Sequence, residues 1–206
     1  MRKELRNPSG QLVHLETEPA TEADAAEAAA AGLTLVRCID QLRIALPLND
    51  ANPLLPTRPF VPGADDDAFL RVNNRAFEWH PDQSNWSKDE LTARLNEPWF
   101  DSDGFLLHEI DGELAGFCWT KIHPQTDVDP ELGEIFVIAV DPAFHGRGLG
   151  RSLTIAGLTF LASKSVSIGM LHVEHNNVPA QTLYRNLGFR EHDAHCWWDA
   201  VESSER

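Results

Sequence analysis

A loop rich in glycine and arginine follows the most apolar β-forming run of the sequence, residues 134–140. That run has the composition of a strand buried on both faces, and Asp141-Pro142 ends it because proline cannot donate to a ladder. Residues 145–151 then supply glycines and arginines, and apolar residues at helical spacing begin at Ser152. Glycines let backbone N–H groups approach an anion, a helix N-terminus adds positive potential and arginines add charge-assisted bonds. The stretch therefore predicts a phosphate-binding loop; the alternative is a glycine-rich turn that only precedes a core helix.

A second pattern of polar, small and aromatic residues lies about thirty residues further along the chain. It follows a predicted strand over residues 169–173 and predicts a helix over 179–186, with Gly188 at the position that ends a helix. Asn177 precedes this helix and can cap its first turn. The full pattern reads Glu174-x-x-Asn177-x-x-Ala180-x-x-Leu183-Tyr184-x-x-x-Gly188-Phe189.

In this order, the two patterns resemble those of the GNAT acetyltransferases. The loop is similar to the family's Q/R-x-x-G-x-G/A loop, with His145 in the first position, and it lacks the Gly-Lys-Ser/Thr ending of a Walker A loop. The second pattern is similar to the N-x-x-A-x-x-x-Y-x-x-x-G-F signature that closes GNAT domains. The resemblance implies an α/β fold, an α+β sandwich whose mixed central sheet splays between its fourth and fifth strands, and acetyl-CoA as co-substrate. The implied acetyl-CoA contacts are Ile138, Ala139, Val140, His145, Gly146, Arg147, Gly148, Leu149, Gly150, Arg151, Asn177, Val178, Pro179, Ala180, Gln181 and Thr182.

Acyl transfer to an amine needs a base for the ammonium proton, donors for the thioester oxygen and an acid for the departing thiolate. Glu134 is the predicted base, because it begins the buried strand and its apolar neighbours should partly desolvate it. The resemblance assigns the thioester carbonyl to backbone N–H groups near residues 138–140 and the acid to Tyr184, the only tyrosine. Direct attack is favoured over an acyl-enzyme, since neither pattern contains a cysteine. The simpler alternatives are a surface charge for Glu134 and a core phenol for Tyr184.

Within the superfamily, several stretches resemble the mycothiol synthase family, which acetylates the cysteinyl amine of desacetylmycothiol. They are FLRVNNRAFEWHPDQSNW, WFDSDGFLL, GFCWTKIHP, LGEIFVIAVDP and LHVEHNN, within residues 69–199. The resemblance implies substrate contacts at Asp82, Lys121, Glu134 and His172. Asp82 and His172 depart from the usual Glu and Tyr of that family, and only the end of its first GNAT half is expected here. A GNAT enzyme for another small amine or a protein N-terminus, and a non-catalytic acetyl-CoA-binding partner, therefore stay open as alternatives.

The composition limits the partners and the compartment. A net charge of −15 and a pI near 4.9 argue against nucleic acid, which is bound by a basic face. No run of apolar residues is long enough to cross a membrane. Cys38, Cys118 and Cys196 are odd in number and far apart, which predicts reduced thiols, and no secretory signal is recognisable. We therefore expect a cytoplasmic monomer that binds acetyl-CoA and a small amine.

The nine histidines do not predict a metal site. They form no HExxH pattern or comparable ligand pair. His192 and His195 fall in a predicted strand, where residues three apart point to opposite faces. We predict no bound metal.

Three segments are predicted along the chain. Residues 1–48 are interpreted as the remnant of an N-terminal GNAT half, with a strand at 14–17, a helix at 21–31 and one or two strands at 33–48; a domain-specific addition is the alternative. The first thirteen residues show no period and are predicted to fray. Residues 49–63 are proline-rich and predict a linker or wrapping segment. Residues 64–206 are predicted to be a complete GNAT domain with the element order ααββ–βα–βα–β.

Overall fold

The computed structural model describes residues 1–49, 55–80 and 85–200. Within these ranges, no helix is long and apolar enough to cross a membrane. The strands are β1 (Arg2–Arg6), β2 (Leu12–Thr17), β3 (Leu33–Ala45), β4 (Arg58–Pro59), β5 (Phe105–Ile110), β6 (Glu113–His123), β7 (Leu132–Val140), β8 (Ile168–Glu174) and β9 (Arg190–Ala200). The helices are α1 (Glu22–Ala30), α2 (Asp66–Ala76), α3 (Lys88–Leu95), α4 (Leu149–Ser163) and α5 (Val178–Leu187). From α2 onward, this order is the predicted one.

The chain packs as two compact units. The first comprises Met1–Ile44 and Leu171–Arg206, and the second comprises Ala45–Met170. Strand β8 begins in the second unit and ends in the first. The boundaries between these two units differ from those of the three predicted segments, 1–48, 49–63 and 64–206. The interpretation of these segments as a GNAT remnant, a linker and a complete domain stays a prediction.

The sheet of the first unit combines N-terminal and C-terminal strands. Its order is β1-β2-β9-β3, followed by the end of β8. Antiparallel pairing joins β2 to β9 through Leu15 and Trp198, and β9 to β3 through His195 and Ile39. Strand β3 is a single strand of 13 residues. The N-terminal segment therefore contributes a strand that lies between two C-terminal strands.

The prediction that the first thirteen residues fray is wrong. Strand β1 pairs with β2 in a hairpin, and Arg2 bonds to Asp24 and Glu27 of α1. All five residues of β1 are exposed, so the strand carries no apolar period that would reveal it. Helix α1 lies where the helix over residues 21–31 is predicted, and Thr21 and Asp24 form a capping box at its start.

Two of the three cysteines are joined. Cys38 and Cys196 lie opposite each other in the pairing of β3 with β9 and form a disulfide, with 4.1 Å between their Cα atoms. The prediction of three reduced thiols is therefore wrong for this pair. The partners are 158 residues apart, and only the pairing of their strands brings them together. Cys118 is free and buried.

The second unit holds an antiparallel sheet with one parallel addition. Strands β4, β5, β6 and β7 follow one another, and β8 joins β7 in parallel through Gly133–Gly169 and Glu134–Met170. Asp111 and Gly112 have φ values of 53° and 82°, as a two-residue hairpin turn between β5 and β6 requires. The sheet is therefore mixed, as predicted.

Helices cover both faces of this sheet. An aromatic core that includes Phe69 of α2, Phe105 and Phe117 packs on one face. On the other face, α4 approaches so closely that a Cβ at Gly157 would lie 2.5 Å from Cys118 Sγ. Phe117 and Cys118 are consecutive residues of β6, so their side chains point to opposite faces of the sheet.

Part of the proline-rich stretch is packed rather than free. Strand β4 pairs with β5, and Phe60 is buried with its ring stacked 4.3 Å from that of Phe105. Arg58 bonds to Asp65 and Glu109. From residue 58 onward, the stretch therefore packs against other elements of the second unit.

Candidate active site

The end of β6 and the start of β7 carry the predicted base on a polar and aromatic face. Glu134 lies directly opposite Lys121 in the antiparallel register. Pairing then shifts, because Trp119 faces Val137 while Thr120 faces Ile135, which leaves Phe136 as an extra residue. Such bulges redirect side chains and are frequent beside active sites. Here both Phe136 and Val137 pack against the same aromatic core.

Glu134 is buried, with 8% of its surface exposed. The alternative of a surface charge at a strand start is therefore wrong. His123 Nε2 lies 2.7 Å from Glu134 Oε2. No sequence pattern indicated a role for this histidine, although its position two residues after Lys121 on one strand places both side chains on the same face.

Lys121 lies over an aromatic wall. Its ammonium is 4.9 Å from the ring centre of Trp99 and 5.6 Å from that of Phe136. The rings of Trp99 and Phe136 are themselves in edge contact, with centroids 5.0 Å apart. Cation–π attraction in this geometry fixes the position of the lysine beside Glu134.

The predicted phosphate loop has the backbone that its glycines allow. Gly146 and Gly148 have φ values of +77° and +74°, and a Cβ at either position would meet nothing within 4 Å. Gly148 is the N-cap of α4 and offers no side chain, so the first N–H groups of the helix stay directed out of its end. His145 Nε2 lies 3.0 Å from the carbonyl oxygen of Val140. Arg147, whose guanidinium lies 5.2 Å from the ring centre of Phe144, is exposed, as is Arg151.

Among the residues that the structure describes, residues 138–140 pair with β6, where Ile138 faces Cys118 and Val140 faces Gly116, and β7 pairs with β8 through Gly133–Gly169 and Glu134–Met170. Alternate N–H groups of this stretch therefore point away from β6.

Burial raises the pKa of the Cys118 thiol, so it is not a nucleophile at neutral pH. This supports direct attack over an acyl-enzyme.

The first unit carries the second predicted set of residues. Asn177 caps α5, because its Oδ1 accepts a hydrogen bond from the N–H of Ala180. Gln181 is buried, and its Nε2 donates to Oδ2 of Asp40 at 2.6 Å. His175 Nδ1 lies 3.0 Å from the same carboxylate oxygen. Asp40 belongs to the N-terminal β3, and nothing local in the sequence indicates this connection.

Two further predicted residues lie in the same unit. His172 on β8 is exposed, and its Nε2 is 3.3 Å from Nε2 of Gln41. Tyr184 is buried to 8% exposure and packs edge-on against Phe189 at 5.6 Å. Asp82 lies outside the described residues.

A separate cleft of about 440 Å³ lies in the second unit. Arg75 in its wall bonds to the buried Asp141 at 2.9 Å, and the side chain of Asp141 accepts from the N–H of Ala143. None of the predicted site residues lines the cleft. The two bonds of Asp141 stabilise the turn that precedes the glycine loop.

Among the described residues, one group has the geometry to hold a metal ion: Cys38, Asp40 and His175. Its sulfur is engaged in the disulfide with Cys196, and its carboxylate already accepts from Gln181.

The sequence around these site residues identifies the family of the chain. The model of the acetyltransferase (GNAT) family matches residues 73–189, more than half of the chain. The chain belongs to the GNAT family. The matched range contains Glu134, the glycine loop and Tyr184. The fold class predicted from the two patterns is confirmed by this match and by the solved structures described below.

This GNAT chain is similar to several curated proteins named mycothiol acetyltransferase. The protein of Acidimicrobium ferrooxidans is 49% identical over 163 residues, which are 77% of this chain and 52% of that protein. The protein of Thermomonospora curvata is 45% identical over 92% of this chain and 62% of its own length. The protein of Segniliparus rotundus is 42% identical over 90% of this chain and 71% of its own length. The matches thus span about half to seven tenths of the length of these relatives, and the predicted resemblance is confirmed.

Solved structures share the fold at low sequence identity. A GCN5-related N-acetyltransferase from Sphaerobacter thermophilus has a TM-score of 0.67 at 22% identity, over 87% of this chain and 56% of that one. A tandem GNAT protein from the clavulanic acid biosynthesis pathway has a TM-score of 0.58 at 20% identity, over 98% of this chain and 64% of that one.

Proposed function

We propose that this GNAT chain transfers the acetyl group of acetyl-CoA to the cysteinyl amine of desacetylmycothiol and so forms mycothiol. The observation that carries the proposal is the buried carboxylate of Glu134, placed opposite Lys121 and bonded to His123. A carboxylate shielded from water is suited to take a proton from an ammonium group. The relatives named mycothiol acetyltransferase, at 42% to 49% identity, favour this particular amine.

Acetyl-CoA fits the residues of the glycine loop. A left-handed backbone at Gly146 and Gly148, with open space where a Cβ would stand, gives a cradle for a pyrophosphate. Arg147 and Arg151 are exposed and can add charge, as can the N-terminus of α4. When bound, acetyl-CoA supplies an activated thioester. The remaining proposed contacts are residues 138–140 and the segment Asn177–Thr182.

The proposed reaction is a direct attack. Glu134 takes a proton from the ammonium group, and the free amine then forms a bond to the acetyl carbon. Backbone N–H groups of residues 138–140 stabilise the negative charge on the carbonyl oxygen. The carbon–sulfur bond breaks, and the leaving thiolate takes a proton, for which Tyr184 is the proposed donor. The nitrogen loses its second proton as the amide forms, and exchange of protons with water restores Tyr184 and Glu134.

The proposed amine contacts are Lys121, Glu134, Asp82 and His172. Lys121 and the rings of Trp99 and Phe136 form a wall beside Glu134 that can accept the apolar and polar parts of a thiol-bearing amine. His172 and Asp82 differ from the residues usual in the mycothiol synthases. This favours, as the second candidate, acetylation of a related small amine.

A turnover assay decides between these amines. Acetyl-CoA consumption should be followed with the cysteinyl glucosaminyl-inositol, free cysteine, glucosamine and a peptide with a free N-terminus. The proposal predicts the highest kcat/KM for the cysteinyl glucosaminyl-inositol. A higher kcat/KM for another amine would replace the substrate, and binding of acetyl-CoA without turnover of any amine would contradict the proposed activity.

A further inference from the structure

His123 is a hydrogen-bond partner of the proposed base. It ends β6, where it faces Leu132, so it lies diagonally across from Glu134 and on the same side of the sheet as Lys121. Its Nε2 lies 2.7 Å from Glu134 Oε2, within the range of a charge-assisted bond. The side chain of His123 is 32% exposed, whereas that of Glu134 is 10% exposed. Glu134 is therefore shielded from water, whereas the imidazole of His123, which is bonded to it, is accessible to water.

We propose that His123 is a positioning residue whose protonation switches the base off. This rests on the proposed role of Glu134. In the neutral ring, Nε2–H donates to Oε2 of Glu134, which fixes the carboxylate that takes the proton from the amine. A contact of 2.7 Å between ring nitrogen and carboxylate oxygen requires a proton between them, which places it on Nε2 in the neutral ring. Among the described residues, Nδ1 makes no hydrogen bond and can take up a proton from water.

Protonation of Nδ1 changes the chemistry of the pair. The imidazolium forms an ion pair with Glu134, and the carboxylate becomes a weaker base because its charge is compensated. Of the charged residues on the two strands, Glu134 is bonded to His123, and Lys121 lies two residues before His123 on β6. The loop that follows His123 in the sequence carries Asp127, Asp129 and Glu131. The proposed pair therefore limits acetyl transfer on the acid side.

The two roles are separated by two substitutions. His123→Gln retains an N–H donor but cannot become charged, whereas His123→Ala removes both. We expect His123→Ala to lower kcat at least tenfold at pH 8, part of the roughly 10²–10⁴-fold that a general base contributes. His123→Gln should recover most of this kcat, and its acid limb should lie at lower pH than that of the unsubstituted chain. His192→Gln, at an exposed histidine of β9, is the matched control and should leave the pH profile unchanged.

A second measurement tests the geometry without turnover. Long-range ¹H–¹⁵N spectra of the histidine rings report the tautomer, and His123 should carry its proton on Nε2 at pH 8. Glu134→Gln should lower the pH at which His123 titrates, because the neutral amide stabilises the imidazolium less. A proton on Nδ1, or an acid limb that is identical in His123→Gln and the unsubstituted chain, would overturn the inference. If no amine is turned over, the proposed function fails, and the tautomer and the titration shift still decide whether His123 is bonded as stated.

Discussion

Asp40 on β3 accepts a hydrogen bond of 2.6 Å from Gln181 on α5, although 141 residues separate them. Both side chains are buried, and the same carboxylate receives His175. Arg37, three residues before Asp40, bonds to Glu174 through two nitrogens, at 2.9 Å and 2.6 Å. Within the first unit, the N-terminal segment thus fixes the loop and the helix that carry the second predicted set of site residues.

Replacing Asp40 should loosen this region. Asp40→Ala leaves Gln181 and His175 without their shared acceptor, and a buried donor without a partner costs about 1–3 kcal/mol. We expect urea unfolding to show a loss of this size. Asp193→Ala, on a half-buried position of the neighbouring β9, is the control and should cost less. Equal stability of Asp40→Ala and the unsubstituted chain would show that the bond does not hold α5.

The glycine loop should bind acetyl-CoA through its backbone. Gly148→Val should weaken acetyl-CoA binding at least tenfold, or about 1.4 kcal/mol, because the side chain fills the cradle and resists a positive φ. Gly63 has a φ of +81° with open space around its Cβ position, so Gly63→Val is a control for backbone strain alone. Calorimetric titration of both folded variants separates the effects. Unchanged affinity in Gly148→Val would remove the loop from the site.

Stability should fall in acid through Asp65. Hydrogen bonds from Arg58 hold the pKa of the Asp65 carboxyl below its ordinary value. The pair therefore stabilises the fold above the unfolded-state pKa of about 3.9, and this contribution disappears as the pH falls through the lower pKa of the folded state. Asp65→Asn should cost about 1–2 kcal/mol at pH 7, a modest figure because Arg58 is 41% exposed. Urea unfolding at pH 7 and pH 3 should give a smaller difference between the two chains at pH 3; a constant difference would show that charge is not the cause.

Lys121 should act on the amine and not on acetyl-CoA. Lys121→Ala removes the ammonium beside Glu134, and we expect KM for the cysteinyl amine to rise at least tenfold while acetyl-CoA affinity is retained. Lys164 also lies over an aromatic ring, that of Phe160 at 5.0 Å, so Lys164→Ala is a matched control for loss of a cation–π contact. Steady-state kinetics with each substrate varied in turn gives both values. An unchanged KM in Lys121→Ala would contradict the proposed substrate wall.

The elements with local signals could be predicted from the sequence. The capping box of Ser87 and Glu90 marks the start of α3, the Asp111-Gly112 turn marks the hairpin, and the two patterns mark the family. The contacts that depend on which strands pair could not. The disulfide of Cys38 with Cys196 and the bond of Asp40 with Gln181 follow from the position of β3, which no local pattern specifies. His123 was missed for the same reason, because its partner lies on the neighbouring strand.

The central claim is that Glu134 is the base, and the pH dependence of Glu134→Gln tests it most directly. The amide retains the size of the side chain but cannot take a proton, so kcat/KM should fall by roughly 10²–10⁴-fold near pH 7. Activity should recover at high pH, where the amine is already neutral. The deficit of Tyr184→Phe should instead persist at high pH and shrink with a thioester whose leaving thiol has a low pKa. A Glu134→Gln profile that keeps the shape and height of the unsubstituted one would contradict the account.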